Sequence, residues 1–240
     1  MTTLARITIA VLIALFLSSC GFDINLGPGV KGDGNVTKEN RKITHQFTAV
    51  SASEGLDVYV TQADEFKITV EADENVIDLI GTDISNGKLR IHARENIGRA
   101  TKKVFVSLPV VTELESSSGA NLTVKNVLNA DHIEIGASSG SGIGVNLKAS
   151  EIRANASSGA NIKISGEASN LEIHASSGSG IGANDLRVKT CNAKASSGAD
   201  ISINVSDTLI ADASSGANIN YSGDATVEQK KSVSGSVRKL

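Results

Sequence analysis

The chain has 240 residues, of which 40% are hydrophobic but only 3% aromatic, with 23 Gly, 2 Pro, 2 Cys and no Trp. Its 23 basic and 26 acidic residues give a net charge of -3, which argues against the basic surface of a nucleic-acid-binding protein. Two cysteines exclude a disulfide framework and a four-ligand zinc finger. Since five Phe and two Tyr cannot fill a core, we expect one built from regularly stacked Val, Ile, Leu and Ala.

The N-terminus has the pattern of a secretory signal. Arg6 precedes an apolar run over residues 7–17, which is too short to span a bilayer. The run leads into Ser18-Ser19-Cys20-Gly21, which resembles the lipobox of bacterial lipoproteins. The resemblance implies that residues 1–19 are removed as a signal peptide and that Cys20 carries fatty acyl chains such as palmitate. A plain secretory signal with an incidental cysteine is the alternative.

The residue after Cys20 is Gly21, which by the same resemblance favours the outer membrane over retention at the inner membrane. Anchoring on the periplasmic face and anchoring on the cell-surface face are both compatible with this sequence. The rest of the segment 20–43 contains the glycine-rich run 27–35, which has no apolar period. We therefore predict that residues 20–43 form a flexible tether between membrane and domain.

Residues 44–115 contain several alternating, strand-like segments, an Asn86-Gly87 turn and four of the seven aromatic residues. A solenoid needs its open end covered. We therefore predict that this region is an irregular N-terminal β cap or the first rungs of a solenoid. A separate sandwich domain is the alternative.

A Ser-Ser-Gly-(Ala/Ser) motif recurs six times over residues 117–217, with its glycines 18 to 21 residues apart, and Ser234-Gly235-Ser236 is a degenerate seventh copy. A fixed period of this length predicts a solenoid. Apolar residues alternate with polar ones on both sides of each motif, which predicts two half-buried strands per rung. We predict an all-β fold over residues 116–240, a right-handed parallel β-helix with ~19–21 residues per rung.

Three further expectations follow from the register of the repeat. The Ser-Ser-Gly segment suits a tight corner, where Gly supports unusual dihedral angles and Ser bonds the local backbone. All variation in length falls between the two strands of a rung, so loops are expected there. A partial Asn/Asp ladder follows the corner, and we favour a structural ladder over a ligand-binding stripe; it comprises Asn121, Gly142, Asn161, Gly180, Asp200 and Asn218.

No catalytic, metal or cofactor site is predicted. The four histidines, at no metal spacing and near no repeated carboxylate, are expected at the surface, and Cys191 in an aliphatic position is expected to be a buried, inert thiol. The run 178–185 is superficially similar to calcium-binding β-roll repeats but holds a single aspartate. The repeat also lacks aromatic platforms for sugars, and its acidic residues are spread around the rung. The histidines are His45, His92, His132 and His174, and the acids are Asp131, Asp185, Asp200, Asp207 and Asp212.

Residues 35–240 resemble the bacterial family of auto-transporter adhesin "head GIN" domains, through Asn40-Arg41-Lys42, the segment 55–60, Asn86-Gly87, Leu108-Pro109 and the recurring Ser-Ser-Gly-Ala. The resemblance implies a β-helix in an adhesin-like or lipoprotein context, and it carries no catalytic residues. We expect a non-enzymatic, lipid-anchored envelope protein that presents a β-helical surface for binding or adhesion. Its partners would be the membrane, through Cys20, and a glycan or an envelope or matrix protein. A polysaccharide-active β-helix enzyme and a structural outer-membrane scaffold are the alternatives.

Overall fold

The computed structural model describes residues 27–230 and 234–240. The predicted signal peptide, Cys20 and the start of the predicted tether lie outside these residues. Within the described residues, sixteen strands join in one sheet, and a short 3-10 helix spans Ile77–Leu79. The strands are β1 (Val36–Asn40), β2 (Ala49–Ala52), β3 (Asp57–Gln62), β4 (Lys67–Asp73), β5 (Ile80–Ser85), β6 (Lys88–Ala93), β7 (Lys102–Leu108), β8 (Glu113–Ser116), β9 (Asn121–Ala137), β10 (Gly142–Ala156), β11 (Asn161–Ala175), β12 (Gly180–Ala195), β13 (Asp200–Ala213), β14 (Asn218–Ser222), β15 (Thr226–Gln229) and β16 (Ser236–Lys239).

The repeat region is a parallel β-solenoid, as the period predicted. Strands β9 to β13 stack in chain order, each pairing in parallel with the next. The two strands expected in each rung are one continuous strand, because pairing extends through the arc where we expected loops. The ladder of β10 and β11, for example, runs from Gly142↔Asn161 to Ala156↔Ala175. Extra residues are absorbed by register shifts, such as those between Ala183 and Arg187, and pairing thus continues to satisfy the backbone.

Aliphatic residues at equal register fill the solenoid interior. The column three residues after each corner glycine is at most 3% exposed throughout, and its members are Leu122, Ile143, Ile162, Ile181, Ile201 and Ile219. A second buried column lies three residues before each corner glycine and consists of alanine alone. Its members are Ala137, Ala156, Ala175, Ala195 and Ala213. Like side chains therefore stack from rung to rung, which explains why the composition holds so few aromatic residues.

The N-terminal cap continues the same sheet. Strands β2 and β3 form a rung that pairs with β8 and β9, and β6 and β7 pair in parallel on the other side of that rung. Strands β1, β4 and β5 add antiparallel pairs at this end. One buried hydrophobic cluster extends from Phe47 in the cap to Ile219. The corner between β2 and β3 is Ser53-Glu54-Gly55, a further copy of the repeat corner. The Ser-Ser-Gly motif is absent from its sequence because Glu54 replaces the second serine.

Part of the segment predicted to be a tether has regular structure. Residues 36–40, assigned to the tether, form β1 and pair antiparallel with β4. Before them, the Val30 amide donates to the Asn96 carbonyl at 2.8 Å, and the Gly32 amide donates to the Arg99 carbonyl at 3.0 Å. Glycine permits this approach, since a Cβ on Gly29 would lie 2.6 Å from a backbone nitrogen. The prediction of a tether up to residue 43 is therefore wrong for the described part of that segment.

Candidate binding groove

Each repeat corner is a tight turn with two consecutive left-handed residues. In the turn that follows β10, Ser158 has φ 52° and Gly159 has φ 72°, and the Ala160 amide donates to the Ser157 carbonyl at 3.1 Å. This is the pattern of a type I′ turn. The unusual dihedrals expected for Gly are confirmed. The left-handed serine was not predicted, and a non-glycine residue in this conformation costs about 1–2 kcal/mol.

Backbone hydrogen bonds tie the corners of successive rungs together. The amide of each corner glycine donates to the carbonyl of the left-handed serine in the next rung, as from Gly140 to Ser158 at 3.0 Å. The stack begins in the cap, where Gly55 donates to Ser118, and it reaches the degenerate copy, where Gly216 donates to Ser234 at 2.8 Å. The corners of successive rungs are therefore linked by backbone bonds that do not involve the hydroxyls of the first two serines.

The serines of the motif have different roles. At the fourth position, Ser141 and Ser179 are buried, and each hydroxyl both donates to a carbonyl and accepts from a backbone amide. Serine hydroxyls thus bond the local backbone at the fourth position, whereas the sequence predicted this bonding for the two serines of Ser-Ser-Gly. The hydroxyls of the first two positions have no protein partner within the described part of the chain. The first-position serines are half-buried, and they are Ser117, Ser138, Ser157, Ser176, Ser196 and Ser214.

The first-position serines line a groove of about 770 Å³, which we call the corner groove. Its other wall is a column of outward-facing residues at equal register, namely Ser51, Glu115, Gly136, Asn155, His174, Lys194 and Asp212. Seven strands contribute to this column, and neighbouring strands lie ~4.8 Å apart, so the groove is ~29 Å long. It runs along the solenoid axis, across the strands.

The corner groove has mixed, mainly hydrogen-bonding chemistry. Serine hydroxyls line it together with one side-chain amide, one imidazole and one ammonium group, and its two carboxylates lie towards opposite ends. Burial raises the pKa of Glu115, but the hydrogen bond from Lys88 at 2.9 Å, the charge of Lys88 and hydrogen bonds with Glu113 and Ser51 together outweigh this effect and hold the pKa below its ordinary value. Glu115 is therefore ionised at neutral pH, beside a lysine that also binds Glu113 at 2.9 Å.

The histidines are not isolated from carboxylates as the sequence suggested. His132 lies 3.0 Å from Glu151 on the next rung. His92 lies 2.6 Å from Asp83 across an antiparallel pair, with its side chain only 15% exposed. The hydrogen bond from His92 lowers the pKa of Asp83. His92 and Asp83 are nine residues apart and lie on the two strands of the β5–β6 hairpin, whereas only the register between rungs brings His132 beside Glu151.

The buried thiol and the polar ladder were predicted correctly in part. Cys191 is buried in the aliphatic column, and burial raises the pKa of its thiol to about 12. Two amides of the ladder bond between rungs, from Asn121 to Asp57 at 3.3 Å and from Asn218 to Asp200 at 2.9 Å. These bonds support the structural interpretation of the ladder at both ends. Within the described residues, no group of three or more His, Cys, Asp or Glu side chains could hold a metal ion.

A second, shallower groove of about 650 Å³ lies on the face after the corner. Lys163 projects there between rungs that carry glycine, including Gly144. Beyond Thr123, in the same row of paired residues, Tyr59 and Phe105 from the cap stack with ring centroids 5.2 Å apart. The cap therefore supplies a pair of rings on this face, although the repeat has none there.

Comparisons with known proteins agree on family and fold. The family described as "Putative auto-transporter adhesin, head GIN domain" matches residues 46–225. A "putative adhesin" from Bacteroides fragilis has a TM-score of 0.79 at 18% identity, with 88% of this chain and 100% of that chain covered. A second, from Parabacteroides merdae, has a TM-score of 0.71 at 21% identity, with 88% and 99% covered.

A structure from Parabacteroides distasonis described as a "Putative lipid binding protein" has a TM-score of 0.69 at 18% identity, with 88% and 99% covered. At these identities the likeness to solved structures concerns the fold. A comparison with curated proteins gave no match. In the described part of the chain, no helix has the length and apolar character needed to cross a membrane.

Proposed function

Since the chain belongs to the head GIN domain family, we propose that it is a non-enzymatic, lipid-anchored protein of the bacterial outer membrane that binds a neutral glycan chain in the corner groove. The anchor is the acylated Cys20 of the lipobox. The glycan lies along the solenoid axis, so that successive rungs contact successive parts of the chain. The function is capture or adhesion rather than turnover.

The unpartnered hydroxyls of the corner groove carry this proposal. Backbone bonds link the corners of successive rungs without using the hydroxyls of the first-position serines. The fold therefore does not explain why serine recurs at the first position of all six motifs, where it lines the groove. Hydroxyl, amide and ammonium groups are suitable partners for sugar hydroxyls. The serine hydroxyls recur at the strand spacing of ~4.8 Å, so they present the same chemistry repeatedly to a long polymer.

The positions of the carboxylates support binding over hydrolysis. Glu115 and Asp212 are the two carboxylates that line the groove, and five strand spacings separate them, or ~24 Å. Retaining and inverting glycosidases place their two carboxylates only ~5 to 9.5 Å apart. Glu115 and Asp212 together with Lys194 leave the groove with a small negative charge, which favours a neutral glycan over a polyuronate.

The glycan claim is tested with the full-length protein in detergent, titrated calorimetrically with cellohexaose, N-acetylchitohexaose and hexagalacturonate. We expect a neutral hexasaccharide to bind and the double variant Ser157→Ala/Ser176→Ala to bind about tenfold more weakly, since each lost hydrogen bond contributes ~0.5–1.5 kcal/mol. Lys163→Ala, on the other groove, is the matched control and keeps full affinity. Binding of matrix proteins without any sugar would refute the ligand class, and release of shorter sugars would refute the non-enzymatic role.

The anchor is tested separately in cells. An alkyne analogue of palmitate should label the wild-type protein in the outer-membrane fraction, and Cys20→Ser should abolish the label because no thiol remains at the lipobox. Labelling that persists in Cys20→Ser, or an unlabelled wild-type protein, would contradict the anchor.

A further inference from the structure

We propose that the cap end of the solenoid faces the membrane and that the C-terminal rung, β15 and β16, points away from it. The corner groove then extends outward from the lipid surface, with β2 proximal and β13 distal. This orientation rests on the proposed lipid anchor at Cys20, and it identifies the surface of the molecule that meets the lipid.

The first described residues are fixed to the outer end of the cap. The Asn96 side-chain amide donates to the Gly27 carbonyl at 2.9 Å. Val30 and Ile97 form a parallel bridge, and the Asn75 side-chain amide donates to the Lys31 carbonyl at 2.9 Å. The segment from 27 to 32 then leads to β1, which is the first strand in the order of the sheet. The chain therefore enters the fold at the end opposite β16.

The short distance in sequence from Cys20 to Gly27 limits how far the cap can stand from the lipid. Seven residues span at most ~25 Å even when fully extended. In contrast, the path through the sheet from β1 to β16 crosses eleven strands, and ten spacings of ~4.8 Å amount to ~48 Å. The anchor can therefore hold the cap close to the membrane, but it cannot by itself hold the C-terminal rung there.

The long faces of the solenoid offer little to hold the molecule flat on a lipid surface. Association of a protein face with lipid depends on apolar area and on attraction to anionic headgroups. Over residues 113–240, acidic residues outnumber basic ones by 13 to 11. Among the described residues of this region, Val127 and Leu240 are the exposed large hydrophobic side chains. An upright position is therefore favoured over a flat one.

The test measures energy transfer from two sites on the full-length, acylated protein. Glu95→Cys places a fluorophore in the cap loop beside Asn96, and Asp224→Cys places one after β14, in the final turn. Both native side chains are exposed, so neither change should disturb the fold. Cys191 is buried and contributes no label. The protein is reconstituted in vesicles of phosphatidylethanolamine and phosphatidylglycerol that carry an acceptor dye on a fraction of the headgroups.

We expect strong transfer from the cap site and at least several-fold weaker transfer from the C-terminal site. Insertion of 20 Gly/Ser residues after Gly21, which adds a coil of ~25 Å, should reduce transfer from the cap site. Equal transfer from both sites, or stronger transfer from Asp224→Cys, would overturn the orientation while Cys20 remains acylated. Absence of acylation would instead overturn the anchor, and with it the orientation.

Discussion

Replacement of Gly159 by alanine tests the left-handed conformation of the corner at a position where the added methyl group would contact no neighbouring atom. Gly159 has φ +72°, and a Cβ added there would meet no atom within 4 Å. Steric overlap with neighbours therefore contributes nothing, and the cost comes from the backbone conformation alone. That cost is about 1–2 kcal/mol for an L-residue, and the stiffer unfolded chain offsets ~0.4–1 kcal/mol of it. We expect a net loss of about 1 kcal/mol in the free energy of unfolding.

Gly144→Ala is the matched control. A Cβ on Gly144 would also lie in open space, but this residue sits in β10 with φ outside the left-handed region. Alanine should therefore stabilise the fold here by ~0.4–1 kcal/mol, through the unfolded chain. The two variants differ in sign although both remove one glycine from a sterically open position.

The assay is urea unfolding at 25 °C, followed by circular dichroism and by the fluorescence of Tyr59 in the cap and Tyr221 near the C-terminal end. With an unchanged slope, the difference in midpoint gives the difference in stability. For a domain of this size, 1 kcal/mol corresponds to ~2–4 °C in Tm. If Gly159→Ala stabilised the protein as much as Gly144→Ala, the left-handed conformation of Gly159 would be refuted.

Three further predictions concern the core, an ion pair and the thiol. Ile162→Ala should lower the free energy of unfolding by ~2–5 kcal/mol through lost burial and a cavity, whereas Lys163→Ala should change it by less than ~0.5 kcal/mol; equal urea midpoints would contradict the inward direction of Ile162. Since the pKa of Glu115 is lowered in the folded state, the stability it contributes is present above its unfolded pKa and is lost as the pH falls. The destabilisation caused by Lys88→Met, measured by urea unfolding, should therefore shrink between pH 7 and pH 3, and a cost independent of pH would refute the pair. With its pKa raised to about 12 by burial, Cys191 should react with a thiol reagent only in unfolding concentrations of urea, and rapid labelling of the native protein would contradict its burial.

The periodic part of the fold could be predicted from the sequence because each rung repeats the same pattern of apolar residues around its corner glycine. Apolar residues at fixed distances from the glycine identified both the strands and the interior columns, such as the one through Ile181. The length variation was misinterpreted as loops. A parallel ladder can take up extra residues as a bulge, as it does between Ala183 and Arg187, where three residues of β12 have no partner in β13. Sequence spacing does not distinguish such a bulge from a loop.

The cap was harder to predict because its strands do not stack in chain order. Strand β3 pairs with both β7 and β9, so the segment between residues 63 and 112 adds β6 and β7 on the outer side of β2 and β3 before the chain crosses to β8 on their inner side. Glu54 adopts the same left-handed conformation as the second serine of each repeat motif, with φ 59°. The corner is not recognisable in the sequence because a glutamate stands where the motif has serine. No local pattern shows which strand a chain will rejoin.

Of the candidate groove, the sequence showed only the recurring serines and not how they are arranged. The serines were visible as a motif, but their left-handed conformation and unpartnered hydroxyls required the structure. The opposite wall combines Asn155, His174 and Lys194, which are related by inter-rung register rather than by any shared residue type. Ion pairs such as His132 with Glu151 arise in the same way, since register between strands is a tertiary property.

The central claim is that the corner groove holds the ligand, and amide chemical-shift mapping tests it most directly. The full-length protein is labelled with ¹⁵N and titrated with cellohexaose and, separately, with N-acetylchitohexaose. The proposal predicts that at least one of them shifts amides along the groove, at Asn155, Ser157 and Ser176, and leaves Gly144 and Lys163 on the other groove unchanged. Shifts confined to the second groove or to the cap, or no shifts with either sugar, would contradict it.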